Sequence, residues 1–440
     1  MIRFVSALVA FMCATPLWAA VDIQEVKSPG GLTAWLVQEP SIPFVALEIA
    51  FEGGASLDEP GKRGAMSLMT SLLEEGAEDM DARAFARAAE GLAASFGYDV
   101  GDDALSVSAR FLTENRDEAV ALLRASLVTP RFDEDAVERV RAQLLSNIRS
   151  NAKDPDRIAR REFDIIAYGA DHPYGSSPDG TLESVSALTR ADLLTAHQNL
   201  LARDRVVIGA VGDIDPETLG LLIDRLLGDL PATGAPLPEK IEPVIAPGLT
   251  IVPFETPQSV AIFGHVGIPQ DHPDFFPAFL LNQVMGAGGF ESRLTQEVRV
   301  KRGLTYGIYS YLSTKKLAAT YQGSVSSAND RISEAIDVVR DEWRDISENG
   351  VTVEELEDAK LYLTGAYPLR FDGNGQIAGI LVGMQRQNLP IDYIPTRNDK
   401  VNAVTLEQAN AVARWLYQPE NLHFVVVGEP TGLEESAAGN

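Results

Sequence analysis

Arg205-Val206-Val207-Ile208-Gly209-Ala210-Val211-Gly212-Asp213 has no polar side chain between its charged ends. A run this short and this rich in β-branched residues reads as a buried strand. It follows Ala187-Leu188-Thr189 and an amphipathic stretch carrying Leu193, Leu194, His197, Leu200 and Leu201. The same order returns later. Ala403-Val404-Thr405 opens a helical pattern from Ala409 to Leu416, and Leu422-His423-Phe424-Val425-Val426-Val427-Gly428-Glu429 follows. Thr189 to Thr405 and Gly212 to Gly428 are both 216 residues apart, and Gly31-Leu32-Thr33 recurs as Gly248-Leu249-Thr250 at an offset of 217. A constant offset over this span means one unit used twice.

The unit mixes strands and helices without strict alternation. Val45 to Phe51, Leu105 to Phe111, Ser259 to Val266 and Ala318 to Val325 read as strands; Asp117 to Leu127, Glu134 to Arg149, Asp330 to Asn349 and Val353 to Leu363 read as helices. This pattern predicts an α+β fold of two homologous domains, each a mostly antiparallel sheet with helices packed on one face, forming a clam-like pair. Between the halves, Leu230-Pro231-Ala232-Thr233-Gly234-Ala235-Pro236-Leu237-Pro238-Glu239-Lys240 is Pro-rich and lacks either period, the mark of an exposed linker. The expected division is therefore 21–230, a linker at 231–247, 248–432, and a flexible tail at 433–440.

Residues 1–20 read as an export signal, with Arg3 at the start, an apolar Val5 to Met12, and small residues around Leu17-Trp18-Ala19. The apolar run is too short to span a bilayer. The only cysteine, Cys13, lies inside this signal, so the mature chain is expected to have no disulfide, thiol nucleophile or thiolate metal site. The net charge of −26 disfavours nucleic acid and anionic membrane faces as partners. No long uncharged run after the signal suggests a membrane span.

Gly64-Ala65-Met66-Ser67-Leu68-Met69-Thr70-Ser71-Leu72-Leu73-Glu74-Glu75-Gly76 decides the chemistry. With the two-fold repeat, Asp154-Pro155-Asp156 before a helix and His172-Pro173-Tyr174-Gly175 after it, this stretch resembles the pitrilysin/insulinase metallopeptidase family, in the two-domain form related to mitochondrial processing peptidase. That family's pattern is Gly-x-x-His-x-x-Glu-His-x-x-x-x-Gly, and Gly64 and Gly76 stand at its ends. Two imidazoles one helical turn apart hold zinc there, and the Glu deprotonates the bound water. Here Ser67, Thr70 and Ser71 occupy the ligand, base and ligand positions. The family's third ligand, a Glu 76 residues past the second His, maps onto Asn147. Hydroxyls and an amide supply neither imidazole nor anionic oxygen, so the resemblance implies a degenerate metal site with no metal and no catalytic residue on this chain.

Other templates fail as well. His172, His197, His265, His272 and His423 show no short helical ligand spacing, and there is no Gly-x-Ser-x-Gly elbow or P-loop. Gly286-Ala287-Gly288-Gly289 reads as a helix end and loop. Glu74 and Glu75 read as solvated carboxylates at a helix end.

One signature remains. Arg299-Val300-Lys301-Arg302-Gly303-Leu304-Thr305-Tyr306 resembles the family's carboxy-terminal Arg/Tyr pair, which reaches from the second domain to substrate at the zinc of the first. A guanidinium can hold a peptide carbonyl and a phenol can donate to an oxyanion. The resemblance thus implies a non-catalytic subunit of a periplasmic heteromeric zinc peptidase, contributing Arg299 and Tyr306 to substrate binding. Its partner would be a homologous subunit with an intact His-x-x-Glu-His that carries the zinc, and its substrates peptides bound as added strands. Two other readings stay open: a non-proteolytic binding or scaffold protein, and a stand-alone metallopeptidase with a relocated metal site.

Overall fold

The computed structural model describes residues 22–436. The export signal expected over residues 1–20, with Cys13, lies outside the described residues, as do the last four residues of the expected tail. In the first half the strands are β1 (Gln24–Lys27), β2 (Thr33–Gln38), β3 (Phe44–Glu52), the short hairpin β4 (Gly76–Ala77) and β5 (Met80–Asp81), then β6 (Ser95–Val100), β7 (Ala104–Leu112) and β8 (Val206–Gly212). The second half supplies β9 (Gly248–Pro253), β10 (Gln258–Val266), β11 (Ile308–Thr314), β12 (Ala319–Ala328) and β13 (His423–Gly428).

The two large sheets run β1-β2-β8-β3-β7-β6 and β11-β12-β10-β13-β9. Without β1, each has the same order and the same mix. A single parallel pair, β2 with β8 and β9 with β13, is followed by antiparallel neighbours throughout. The repeat extends to local chemistry: Thr189 and Thr405 each close a capping box at the start of their helices, satisfying amides that the first turn leaves unpaired.

The core is layered as the mixed pattern implies, with one difference. Along β3, Val45, Leu47, Ile49 and Phe51 enter the main first-half core, which helices such as Arg116–Val128 and Pro216–Leu227 cover. The alternate residues Ala46 and Ala50 enter separate apolar clusters on the opposite face. That second face is not open. The helix Asn374–Arg386, from the second half, lies on β3 and β8. Reciprocally, the helix Pro155–Tyr168, from the first half, lies on β10 and β13. The two helices begin 219 residues apart, close to the offset of the repeat. Each half thus packs its own helices on one face of its sheet, as expected, and the other face is covered by a helix of the other half. It also explains why β8 and β13 are continuously apolar rather than alternating.

Two glycines allow the crossing helices to sit close. A Cβ on Gly209 of β8 would come 2.6 Å from the Ala378 carbonyl oxygen, and one on Gly264 of β10 would come 2.8 Å from Phe163 Cζ. Phe163 is fully buried against Val260, Ile262, Val425 and Val427. Burying such a ring contributes about 1.5–3 kcal/mol.

The halves also meet turn to turn. The β6–β7 turn offers Asp102 and Asp103, and the corresponding β11–β12 turn offers Lys315 and Lys316. Lys315 Nζ lies 2.9 Å from Asp102 Oδ2, the Lys316 amide donates to Asp103 Oδ2 at 2.9 Å, and Lys316 Nζ reaches Glu52 Oε1 at 2.7 Å.

Candidate functional site

The degenerate motif lies on the helix Ala65–Ser71. Its N-cap residue, Gly64, has no side chain to accept from the first amides, and Asp58 does so instead. Asp58 Oδ2 accepts from the Gly64 amide and Oδ1 from the Met66 amide, both at 2.8 Å. Burial pushes the Asp58 carboxyl up to about 6, against the pull of those amides and of Arg63. Arg63 lies 3.5 Å from Asp58 and 3.4 Å from Asp102. It also donates to the carbonyls of Pro173 (2.9 Å), Ser176 (3.1 Å), Ser177 (3.0 Å) and Ala55. One guanidinium thus ties the motif helix to the β6–β7 turn and to the 173–177 loop.

The three motif positions are used structurally. Ser67 is buried and its hydroxyl donates to the Pro178 carbonyl at 2.8 Å. Thr70 is 2% exposed, and its Oγ1 has no hydrogen-bond partner among the described residues. Ser71 is exposed and donates back along the helix to the Ser67 carbonyl at 2.9 Å, a common helix-internal use of a hydroxyl. Asn147 is exposed on the helix Glu134–Asn151, where it accepts from Gln143 Nε2 at 3.0 Å. The two helices touch, but this donor set does not fit zinc, which takes imidazole, thiolate or carboxylate. Among the described residues no group of three or more His, Cys, Asp or Glu side chains could hold a metal ion.

Beside this helix is a cavity of about 270 Å³ whose wall includes Asp102, Arg157, Arg160, Asp164, Tyr174 and Pro178. It lies at the junction of the halves. Arg160 donates to Tyr309 Oη at 2.7 Å and Tyr311 Oη at 3.4 Å on β11. The Lys315 ammonium is 4.5 Å from the Tyr174 ring centroid. Burial raises Asp164 to about 6, with Lys315 opposing the shift. Burial also lowers His172, while Asp102 pulls it the other way. Tyr174 donates to Asp103 and accepts from the Leu317 amide at 3.0 Å, and burial raises its phenol.

Arg299 and Tyr306 lie in the segment leading into β11. Arg299, on the π-helical turn Thr295–Val300, stacks its guanidinium 4.6 Å over the Phe290 ring. Tyr306 is 87% exposed. The loop between them is held firmly: Thr305 Oγ1 contacts the Gly307 and Ser326 carbonyls at 2.8 and 2.6 Å, and Arg331 donates to the Gly303 and Arg302 carbonyls. No side-chain hydrogen bond or ion pair engages Arg299 or Tyr306 among the described residues, and none joins them to Ser67, Thr70, Ser71 or Asn147. Between the two regions stand Arg160, bonded to Tyr309 and Tyr311 on β11, and the chain of ion pairs from Lys315 through Asp102 to Arg63 beside the motif helix. The sequence reading passed over Asp58, Arg63, Asp164 and Lys315. The motif His172-Pro173-Tyr174-Gly175 pointed to their neighbourhood, but their pairing spans too much chain to leave a local pattern.

Known proteins agree with this picture. A family model described as "Peptidase M16 inactive domain" matches residues 187–363. A Helicobacter pylori protein named "Non-peptidase homolog YmxG" is 26% identical over 387 residues, covering 88% of this chain and 89% of its own. The Bacillus subtilis "Uncharacterized zinc protease YmxG" is 24% identical over 414 residues, 90% and 96% of the two chains. A crystal structure of a peptidase M16 inactive domain from Pseudomonas fluorescens superposes with a TM-score of 0.87 at 29% identity, covering 94% of this chain and 99% of that one. With hydroxyls and an amide at the positions of the metal motif, the chain is similar over most of its length to these proteins, and its residues 187–363 match the family model described as the inactive domain of peptidase M16.

Proposed function

We propose that this chain is the non-catalytic subunit of a heteromeric zinc peptidase of the periplasm, presenting Arg299 and Tyr306 to a peptide whose scissile bond lies at zinc on a homologous partner with an intact His-x-x-Glu-His. The observation that carries the reading is the contrast between two regions of one preserved fold. The metal positions have become packing and hydrogen-bonding groups. Tyr306, in turn, is fixed at its backbone neighbours and free at its phenol. A phenol so placed can donate to a developing oxyanion, and a guanidinium can hold a carbonyl. The half-buried strand β6 closes the first sheet on one side and offers an edge to which an extended peptide can add.

The test is to purify the mature chain alone and with a candidate partner, then measure bound zinc and cleavage of a quenched fluorescent peptide. Turnover only in the mixture, reduced at least tenfold by Arg299→Ala or Tyr306→Phe, supports the reading. Zinc and turnover in this chain alone would overturn it. A stable complex without turnover on any peptide would favour a scaffold, the reading with which the printed name of the Helicobacter pylori relative accords.

A further inference from the structure

A second cavity, of about 770 Å³, lies in the second half, away from the degenerate motif. Its walls come from the helix Phe275–Asn282, the turn Tyr367–Arg370, the helix Tyr393–Ala403 and the outer face of the helix Asn374–Arg386. Five aromatic rings line it, together with two arginines, Arg370 and Arg397. None of the lining residues is acidic, in a chain with 63 Asp and Glu against 37 Lys and Arg.

Arg397 is 5% exposed, yet no ion pair engages it or Arg370 among the described residues. Its guanidinium is held between the rings of Tyr367 and Phe279, at 4.4 and 5.5 Å from their centroids, and both rings face the cavity. Nη1 donates to the Leu363 carbonyl at 2.7 Å and to Asn398 Oδ1 at 2.9 Å, so the group is fixed in place by neutral partners only. A buried cation without a counter-ion is costly. Burial accordingly lowers its proton affinity.

The opposite wall is open in an unusual way. Gly379 and Gly383 stand one helical turn apart on the cavity face, and a Cβ on either would meet nothing within 4 Å. Glycine inside a helix costs about 0.5–1 kcal/mol relative to alanine, and no neighbour in the fold requires these two. Their effect is to leave a flat floor.

We infer that this cavity binds a small carboxylate with an apolar or aromatic body, its anion paired with Arg370 and Arg397 and its body lying on the Gly379–Gly383 floor between the rings. The cavity size suits such a ligand, and a planar guanidinium pairs well with a carboxylate. The inference is independent of the partner-subunit reading.

Calorimetric titration of the full mature chain with 3-phenylpropionate, N-acetyl-Ala-Ala-Phe and the corresponding amides tests it. Acids are expected to bind at least tenfold tighter than their amides. Gly383→Leu, which fills open space, and Arg370→Gln, at an exposed position, are expected to weaken the acids at least tenfold without shifting the melting temperature. Binding of both acids assigns a free apolar acid, and binding of the peptide alone assigns a chain terminus. No binding at millimolar concentration, equal affinity for acid and amide, or wild-type affinity in Gly383→Leu would each overturn the proposal. Absence of binding combined with weaker partner association in Gly383→Leu would instead make the groove a helix-docking surface.

Discussion

Replacing Asp58 by Ala should loosen the motif helix far more than the rest of the molecule. The carboxylate side chain is 1% exposed, and its two oxygens take the Gly64 and Met66 amides at 2.8 Å each. Removal leaves both amides buried without acceptors and takes from Arg63 one of its two carboxylates. Helix caps are worth about 0.5–2 kcal/mol, and hydrogen bonds to charged groups about 1.5–3 kcal/mol. Part of this is offset by relief of the carboxylate's own burial, which its raised pKa of about 6 reports. A net loss of about 3 kcal/mol follows, or roughly a 150-fold rise in the population of the locally opened helix. The readout is local: amide hydrogen exchange, followed by mass spectrometry, in peptides covering residues 64–72. Asp58→Asn, which keeps one acceptor, should give an intermediate effect. Exchange in Asp58→Ala within about threefold of wild type would refute the assignment of Asp58 as the cap.

The remaining expectations are as follows. Thr70→Val replaces a buried, unpartnered hydroxyl by an isosteric methyl and should stabilise the first half by about 1 kcal/mol in urea unfolding; a destabilisation would mean that the hydroxyl is satisfied by something it binds. Asp58, Asp164 and Glu48 are held by burial near 6, 6 and 7, above their unfolded values. The fold therefore binds more protons than the unfolded chain between about pH 4 and 7, and the stability these groups give at low pH is lost as pH rises through that window. Urea midpoints should accordingly be higher at pH 5.5 than at 7.5, and the reverse order would rule these groups out as the dominant titration. Lys315→Met removes both the partner of Asp102 and the cation that opposes the Asp164 shift, so its penalty should already be present at pH 5 and grow further towards pH 8; a penalty constant with pH would mean that Asp164 does not sense Lys315. Phe163→Ala should cost about 3–5 kcal/mol, detected as an earlier transition of the second half although the residue belongs to the first.

Much of the fold was legible because its strongest signal is not local propensity but a constant offset. Thr189 and Thr405 announce their helices by the same capping chemistry, and β8 and β13 read as strands because seven and six residues in a row avoid charge. The crossing helices were half legible. The apolar stripe of Pro155–Tyr168 shows that it packs on something, but an amphipathic pattern does not name its partner, and the nearest sheet in sequence was the wrong one. At the motif, Ser67, Thr70, Ser71 and Asn147 state by residue type alone what cannot be bound there. Asp58 and Arg63 remained hidden because a carboxylate and a guanidinium in a polar loop look like solvated surface until the 173–177 loop closes over them. The same holds for Arg397, whose meaning comes from the absence of an ion pair to it among the described residues.

The exchanged helices bear on how this chain can be divided. A strand order repeated twice, with one helix passed across in each direction, is the geometry of a swapped dimer whose two protomers have been joined end to end. Cutting the chain in its Pro-rich linker should yield two fragments that are soluble only together. Each fragment alone would expose a valine-rich face such as Val260, Ile262, Val425 and Val427, with the β-propensity and lack of charge that favour aggregation. Neither half is then a minimal unit, and any attempt to trim this protein to one lobe must keep the visiting helix of the other.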